Sequence, residues 1–450
     1  MSTIDIIGGG VLGLTLGYDL IKRGHHVRIW ERSTELGGLM GRTRFPELDG
    51  LEVDRYYHAI LSSDRTLMAM FEELGLMGDL RMTTTQMGFY HNSMFYPMST
   101  PVDFLRFPPL SMVDRFRLGL TILQARRVKN WRDLEQIPVL EWLTRLGGRG
   151  TVEHIWKPLL RAKFDGTFDT VPATYIWSRL VRTTDTRGKT GATEQMCFLT
   201  GGYDMFIQAL AREIRARGGE INTGVTVKQV QINNGRVTGL HLADGEVSSD
   251  AVAITMQTPI ARRLLPPAAA EVSARWSRLE DYLGIVCMLL VMRRPLTPYY
   301  TLNITDERIP FTGVIETTNL IQTEYSGGYH LIYLPKYVTP DNVFAQMDNE
   351  TLTRSFLVYL RQMFPDLKDD DIAAIRIGRE RYVEPLHPLG RTDDIAPLES
   401  DIAGLFLINS GQIYPQLTNG EAAVAHAMKA AATIAAAQTH APAEVPAAVA

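Results

Sequence analysis

Cysteine is nearly absent: Cys197 and Cys287 are the only two in 450 residues. They lie far apart and form no C-x-x-C spacing. That excludes a disulfide framework and a cysteine-rich metal site, and makes a reducing cytoplasm the expected location. Long apolar runs are missing too; no stretch reaches the about 18 consecutive apolar residues of a membrane-spanning helix. The first residues lead straight into a strand pattern, so no secretory leader is expected. Neither sign of charge dominates. Lys and Arg number 46 against 50 Asp and Glu, so no overall basic field calls for nucleic acid. There is no internal repeat, and no metal is expected.

What is present is an ordinary globular composition, 45% hydrophobic and 21% charged, with length for about two to three domains. The segment TIDIIGGGVLGLTLGYDLIKRGHHVRIWER is the most informative. Ile4, Ile6 and Ile7 predict a buried strand. Gly8 to Gly13 reads G-x-G-x-x-G, residues 14–23 continue as a helix stopped by Gly24, and residues 25–30 form a second strand ending at Glu31. In this order the glycines make a tight turn, allow close approach of a pyrophosphate, and let helix pack on strand. The helix N-terminus offers unpaired N–H groups to phosphates. Glu31 is placed to accept hydrogen bonds from a ribose diol.

The next segment, RSTELGGLMGRTRF, does not continue as a simple dinucleotide fold. Gly37, Gly38 and Gly41 predict a loop that wraps over a pyrophosphate a second time, with Arg42 as counter-charge; a surface arginine beside a turn is the plainer alternative. Downstream, residues 203–217 predict an amphipathic helix. Strands follow near 220–222, 226–232 and 236–242, with Asn233-Asn234-Gly235 as a hairpin turn, and a buried strand covers 251–255. Near the C-terminus, residues 405–408 form a strand, Ser410-Gly411-Gln412 a tight loop, and Asn419 caps an Ala-rich helix.

These three blocks resemble the FAD-dependent superfamily of protoporphyrinogen oxidase, phytoene desaturase and flavin amine oxidases, and more distantly UDP-galactopyranose mutase. The resemblance implies a discontinuous α/β Rossmann-type FAD-binding domain over 1–81, 196–259 and 396–435. An α+β substrate domain would comprise 82–195 and 260–395, with a helical insertion over about 101–187, and 436–450 would be a flexible tail. It implies that Gly8, Gly10, Val11, Leu12, Gly13, Glu31 and Arg32 hold the ADP part. Gly38, Leu39 and Arg42 would lie near the pyrophosphate and flavin. Val227 would face the adenine through its backbone, and Gly411 and Gln412 would meet the ribityl chain. The family commonly has Asp or Glu at this last position, and here it is Gln412. No lysine occurs between Arg278 and Arg293, unlike a typical amine oxidase, and neither cysteine sits by the C-terminal block, which implies non-covalent FAD. The implied activity is hydride transfer between a C–C or C–N bond of a small molecule and the flavin; a redox-neutral isomerase or sugar mutase using reduced FAD is the alternative.

The middle of the chain carries the substrate expectations. Residues 67–76 and 352–364 predict amphipathic helices, 82–97 a β-ribbon, and 286–294 and 329–335 strands. Tyr56, Tyr57, His58 and Tyr414 are candidate walls around a flavin, with His58 either an acid–base group or a satisfied core histidine. Lys157, Arg161 and Lys163 form either an anion site or scattered surface charge. Residues 106–132 hold seven basic residues and one acidic one among Phe, Leu, Ile and Met. They read either as a weak, membrane-surface docking segment for an apolar substrate or as helices packed on the core.

Overall fold

The computed structural model describes residues 1–185 and 195–439. Its organising layer is a five-stranded parallel sheet, ordered Glu220–Thr223, His26–Glu31, Thr3–Ile7, Ala251–Ile254 and Leu405–Leu407. Period-2 alternation sends Ile4, Ile6, Val27, Ile29, Ala251 and Phe406 to one face. There they pack under the helices Val11–Lys22, Gly202–Ala216 and Gly420–Thr439. Ile7, Trp30, Val252 and Leu405 take the other face, under Val230, Leu240 and Trp276. Both faces are covered, as a parallel sheet requires. The strands meet from segments more than 150 residues apart because only central, apolar strands can fill such a layer.

The strand at 220–223 joins this sheet beside His26–Glu31. Its successors, Val227–Asn233, Arg236–Leu242 and Gly245–Ser248, make a separate three-stranded antiparallel sheet. The hairpin at Asn234 and Gly235 has both residues at positive φ, 49° and 72°, as a type I′ turn demands.

A second, seven-stranded sheet runs Ile372–Pro385, Tyr282–Met292, His330–Val338, Gly313–Glu316, Thr301–Ile304, Met87–His91 and Met94–Pro97. One face, with Met288, Leu290 and Met292, is covered by the helix Asn349–Met363. The opposite face, with Ile285, Cys287 and Leu289, packs toward Phe45, Val53 and Tyr56 of the glycine-loop region. Five helices between Pro101 and Asp185 close over one end.

Three expectations change. The ribbon expected over 82–97 is two things: Leu80–Thr84 pairs with Gln195–Leu199, and only Met87–Pro97 is a hairpin. Polar Thr85 and Gln86 break the run, and the expected division at 81/82 falls inside a strand. Residues 436–439, expected in a flexible tail, continue the C-terminal helix to Thr439; its Ala-rich register persists there. The rest of that tail, and residues 186–187 of the insertion, lie outside the described residues.

Candidate active site

All the loops singled out at the parallel sheet lie at the carboxyl ends of its strands: 8–10 after Ile7, 32–33 after Glu31, 255–258 after Ile254, and 408–412 after Leu407. This is the edge where open α/β sheets bind ligands. The two glycine loops touch, the Gly37 N–H donating to the Gly9 carbonyl at 2.9 Å. The Glu31 carboxylate accepts from the Gly9 N–H and the Ser33 N–H, both at 2.7 Å. Each oxygen keeps capacity for a further donor such as a ribose hydroxyl.

The glycines divide by cause. A Cβ on Gly13 would lie 2.0 Å from the Gly8 carbonyl oxygen, so helix-to-strand packing excludes any side chain there. Gly10 has ordinary extended backbone, φ −74° and ψ 174°. A Cβ on it would meet nothing nearer than the Gly37 oxygen at 3.9 Å. The protein alone does not require glycine at position 10. The helix it precedes has no side-chain cap and no acidic residue in its first turn. An open cradle in front of uncapped N–H groups fits a dinucleotide pyrophosphate.

Other residues are placed less simply. Arg42, expected as a counter-charge, is engaged by three carboxylates: Glu52, Asp204 at 3.3 Å and Glu35 at 3.4 Å. Its surroundings are net negative, so it offers a phosphate no surplus charge in this arrangement. Asp54, close by, is half-buried, and desolvation raises its carboxyl to about 7 against a hydrogen bond from the Tyr203 N–H. Gln412 does not reach out to a ribityl chain. Its amide oxygen takes the Asn409 N–H at 3.0 Å, and its amide nitrogen donates to the Ala396 and Leu407 carbonyls at 2.9 Å. With His426 at 3.0 Å as well, this side chain locks its loop. Gly38 is exposed, Arg32 is exposed, Leu39 is half-buried, and Val227 is buried in its strand.

His58 Nδ1 lies 3.0 Å from the Tyr56 carbonyl, and its ring meets Tyr203 edge-on at 5.5 Å. Burial lowers its pKa to about 4, so at neutral pH it is an uncharged imidazole and no imidazolium acid. Tyr414 shares a 2.6 Å hydrogen bond with Thr174 and packs against His387. His387 in turn bonds the Gly411 carbonyl at 2.8 Å. Tyr414 and His387 line a cavity of about 180 Å³ between the C-terminal loop and the second sheet, and His58 with Tyr57 and Tyr203 lines a separate one.

The three expected anion-site cations separate. Lys157 pairs with Glu153 one turn away at 3.1 Å, and Arg161 pairs with Glu307, both toward solvent. Lys163, two residues further and so on the far side of the helix, turns inward to Glu384 at 2.9 Å. Sequence reasoning missed Glu384, Tyr175, Tyr337, Arg179 and His387. They come from three separate segments, and no local pattern marks them. Among the described residues no cluster of His, Cys, Asp and Glu could hold a metal ion, and no helix is long and apolar enough to cross a membrane.

Residues 13–435 match the family described as flavin containing amine oxidoreductase. A probable zeta-carotene desaturase of Synechococcus elongatus is 23% identical, over 90% of this chain and 93% of that protein. A putative protoporphyrinogen oxidase from Exiguobacterium sp. 255-15 superposes with a TM-score of 0.75 at 19% identity, covering 97% of this chain and 99% of that one. Reduced UDP-galactopyranose mutase also gives 0.75, at 14% identity, over 96% and 95% of the two chains.

Proposed function

The chain belongs to the flavin containing amine oxidoreductase family, and from that premise we propose that this FAD-dependent enzyme dehydrogenates a C–C or C–N bond of a small-molecule substrate. A bound flavin would supply the redox chemistry there, as the hydride acceptor. The open cradle at Gly10 carries the reading: it is space that only a ligand needs. Gly8, Gly10, Val11, Leu12, Gly13, Glu31 and Arg32 would hold the ADP half. Gly38, Leu39 and Gly411 would border the pyrophosphate and ribityl chain, and Val227 the adenine. Arg42 would position the second glycine loop through its carboxylates, and Gln412 would stiffen the C-terminal one. Tyr57 and His58 would wall one recess and Tyr414 another; neutral His58 can orient a group but not protonate it.

The cofactor is held non-covalently in this reading, since Cys287 sits mid-strand in the second sheet and Cys197 beside Ile60, both buried. Heat-denatured protein is therefore expected to release intact FAD, about one per chain, into the supernatant. Chromatography that found FMN, NAD or no nucleotide from well-folded protein would overturn it. A redox-neutral reaction on reduced flavin is the second reading. Anaerobic addition of substrate separates the two: dehydrogenation bleaches the flavin stoichiometrically, and isomerisation leaves its oxidation state unchanged.

The segment 106–132 resolves into two faces. Phe107 and Leu118 are buried and Ile122 packs beside them, as the core-packing alternative requires. Yet Val102, Leu105, Met112, Val113, Phe116 and Leu123 on the same short stretch are between 52% and 69% exposed. Arg106, Arg117, Arg126, Arg127 and Lys129 of this segment are exposed as well. Exposed apolar side chains interspersed with cations suit the surface of an anionic bilayer, each cation adding about 1 kcal/mol. Binding to phosphatidylglycerol vesicles is expected at low salt, weakened by salt and lost in Phe116→Glu with Leu123→Glu. Failure to sediment with those vesicles, or unchanged binding by the variant, would refute docking.

A further inference from the structure

We propose that the cavity of about 180 Å³ beside the C-terminal loop takes an uncharged, apolar part of the substrate that carries an N–H or O–H donor, and that His387 Nδ1 accepts from that donor. The proposal rests on the FAD-enzyme reading and specifies the substrate class that enzyme takes.

The end of the second sheet places His387. The long strand stops at Pro385, which has no N–H for a ladder. The Leu386 N–H then donates to the Asp281 carbonyl and the Leu389 N–H to the Thr170 carbonyl, each at 2.9 Å. His387 is therefore held between the start of the strand Tyr282–Met292 and the helical insertion. Its ring centre lies 4.9 Å from that of Tyr414, and its Nε2 lies 2.8 Å from the Gly411 carbonyl oxygen. A carbonyl only accepts, so Nε2 carries the hydrogen. Burial lowers the pKa of this histidine against the Gly411 bond and the Glu384 charge. At neutral pH the ring is therefore uncharged and Nδ1 keeps its lone pair. Among the described residues Nδ1 has no hydrogen-bond partner, and it is not sealed from solvent. One nitrogen of the ring holds the C-terminal loop, and the other offers an acceptor to the cavity that the ring lines.

The rest of the lining sets the class of ligand. Phe164, Val171 and Ile413 are buried apolar walls. The Tyr414 hydroxyl is committed to Thr174 at 2.6 Å. Glu384 is balanced by Lys163 at 2.9 Å, so the pair adds no net charge, and the spare lone pairs of its carboxylate only accept. The Tyr175 hydroxyl turns to donate or accept and does not discriminate. An anion placed here would lose its water and face acceptor lone pairs. A plain hydrocarbon would strip water from Nδ1 and return no hydrogen bond. A donor on an apolar body satisfies both the walls and the acceptor. An apolar cavity of about 150 Å³ holds benzene, so one ring, or a chain of similar bulk, fits this space.

The test titrates FAD-loaded enzyme separately with phenol, toluene and benzoate, which share one ring, reading the flavin difference spectrum and the thermal midpoint. Phenol is expected to give a saturable response, and benzoate to bind at least about tenfold more weakly. His387→Gln keeps an amide N–H for the Gly411 carbonyl and has no acceptor where Nδ1 stood. His387→Asn puts an amide oxygen where Nδ1 stood and loses the loop bond. His387→Gln is expected to weaken phenol about tenfold relative to toluene, and His387→Asn to keep the wild-type ratio. A general loosening of the cavity moves both probes together and leaves that ratio alone. Absence of a saturable phenol response in the wild type, benzoate binding as tightly as phenol, or a phenol-to-toluene ratio unchanged in His387→Gln or lost equally in both variants overturns the proposal. Wild-type protein that retains no FAD would count against the enzyme reading instead; the thermal midpoint still reads the cavity, so the two failures are distinguishable.

Discussion

Gly10→Val is expected to leave a folded, colourless protein. Its backbone there is extended, where a β-branched residue is at ease, and a Cβ finds no atom within 3.9 Å. The new side chain stands in front of the uncapped helix N-terminus, in the space a pyrophosphate would take. Circular dichroism and the melting of apoprotein should match wild-type apoprotein. Retained FAD should fall at least about 100-fold, equivalent to roughly 3 kcal/mol of lost binding. Gly13→Ala is the informative contrast. Its Cβ would lie 2.0 Å from the Gly8 oxygen, so the strand–helix junction must open and the fold itself should suffer. A yellow Gly10→Val protein with stoichiometric FAD would show that the cradle is not the cofactor site.

Asp5→Ala is expected to destabilise the chain more than any single apolar truncation of that strand. Asp5 is fully buried in the central strand of the parallel sheet. It accepts from Nε and Nη2 of Arg28 and from the Trp30 indole, each at 2.8 Å. Removing it strands a largely buried guanidinium and an indole N–H together. Breaking one side of such a pair costs about 3–5 kcal/mol, read as a lowered urea midpoint at unchanged slope. Asp5→Asn should fall between, keeping an acceptor and losing the charge. Asp5→Leu with Arg28→Leu should recover most of the loss, since no charge is then left unpaired. A loss under about 1 kcal/mol in Asp5→Ala would mean Arg28 finds another partner, such as the Ser248 carbonyl that it already reaches at 2.6 Å.

Legibility followed the range of the interaction. Ile4, Ile6 and Ile7 around a G-x-G-x-x-G, and Asn234-Gly235 between two strands, announce structure through neighbours a few residues away. The strand near 220–222 was legible as a strand, but its partner, His26–Glu31, lies nearly 200 residues away. Arg42 read as a phosphate ligand because its loop is glycine-rich; Glu52 and Asp204, which claim it, carry no mark in the local text. Lys163 read as one of three similar cations. Its helix phase was visible, but which side of that helix faced the interior was not.

The sequence by itself therefore determined the nucleotide-binding core, because that depends on glycine spacing, strand alternation and helix starts, all local; the family and the cofactor followed from the resemblance of those blocks to known flavoenzymes and from the family match. Tertiary structure alone decided that Lys163 meets Glu384 and the Tyr337 ring, and that Phe116 and Leu123 stay in solvent while Leu118 is buried. Register across a sheet and the docking of one helix are set by packing between distant segments, and a cavity exists only as the space that packing leaves.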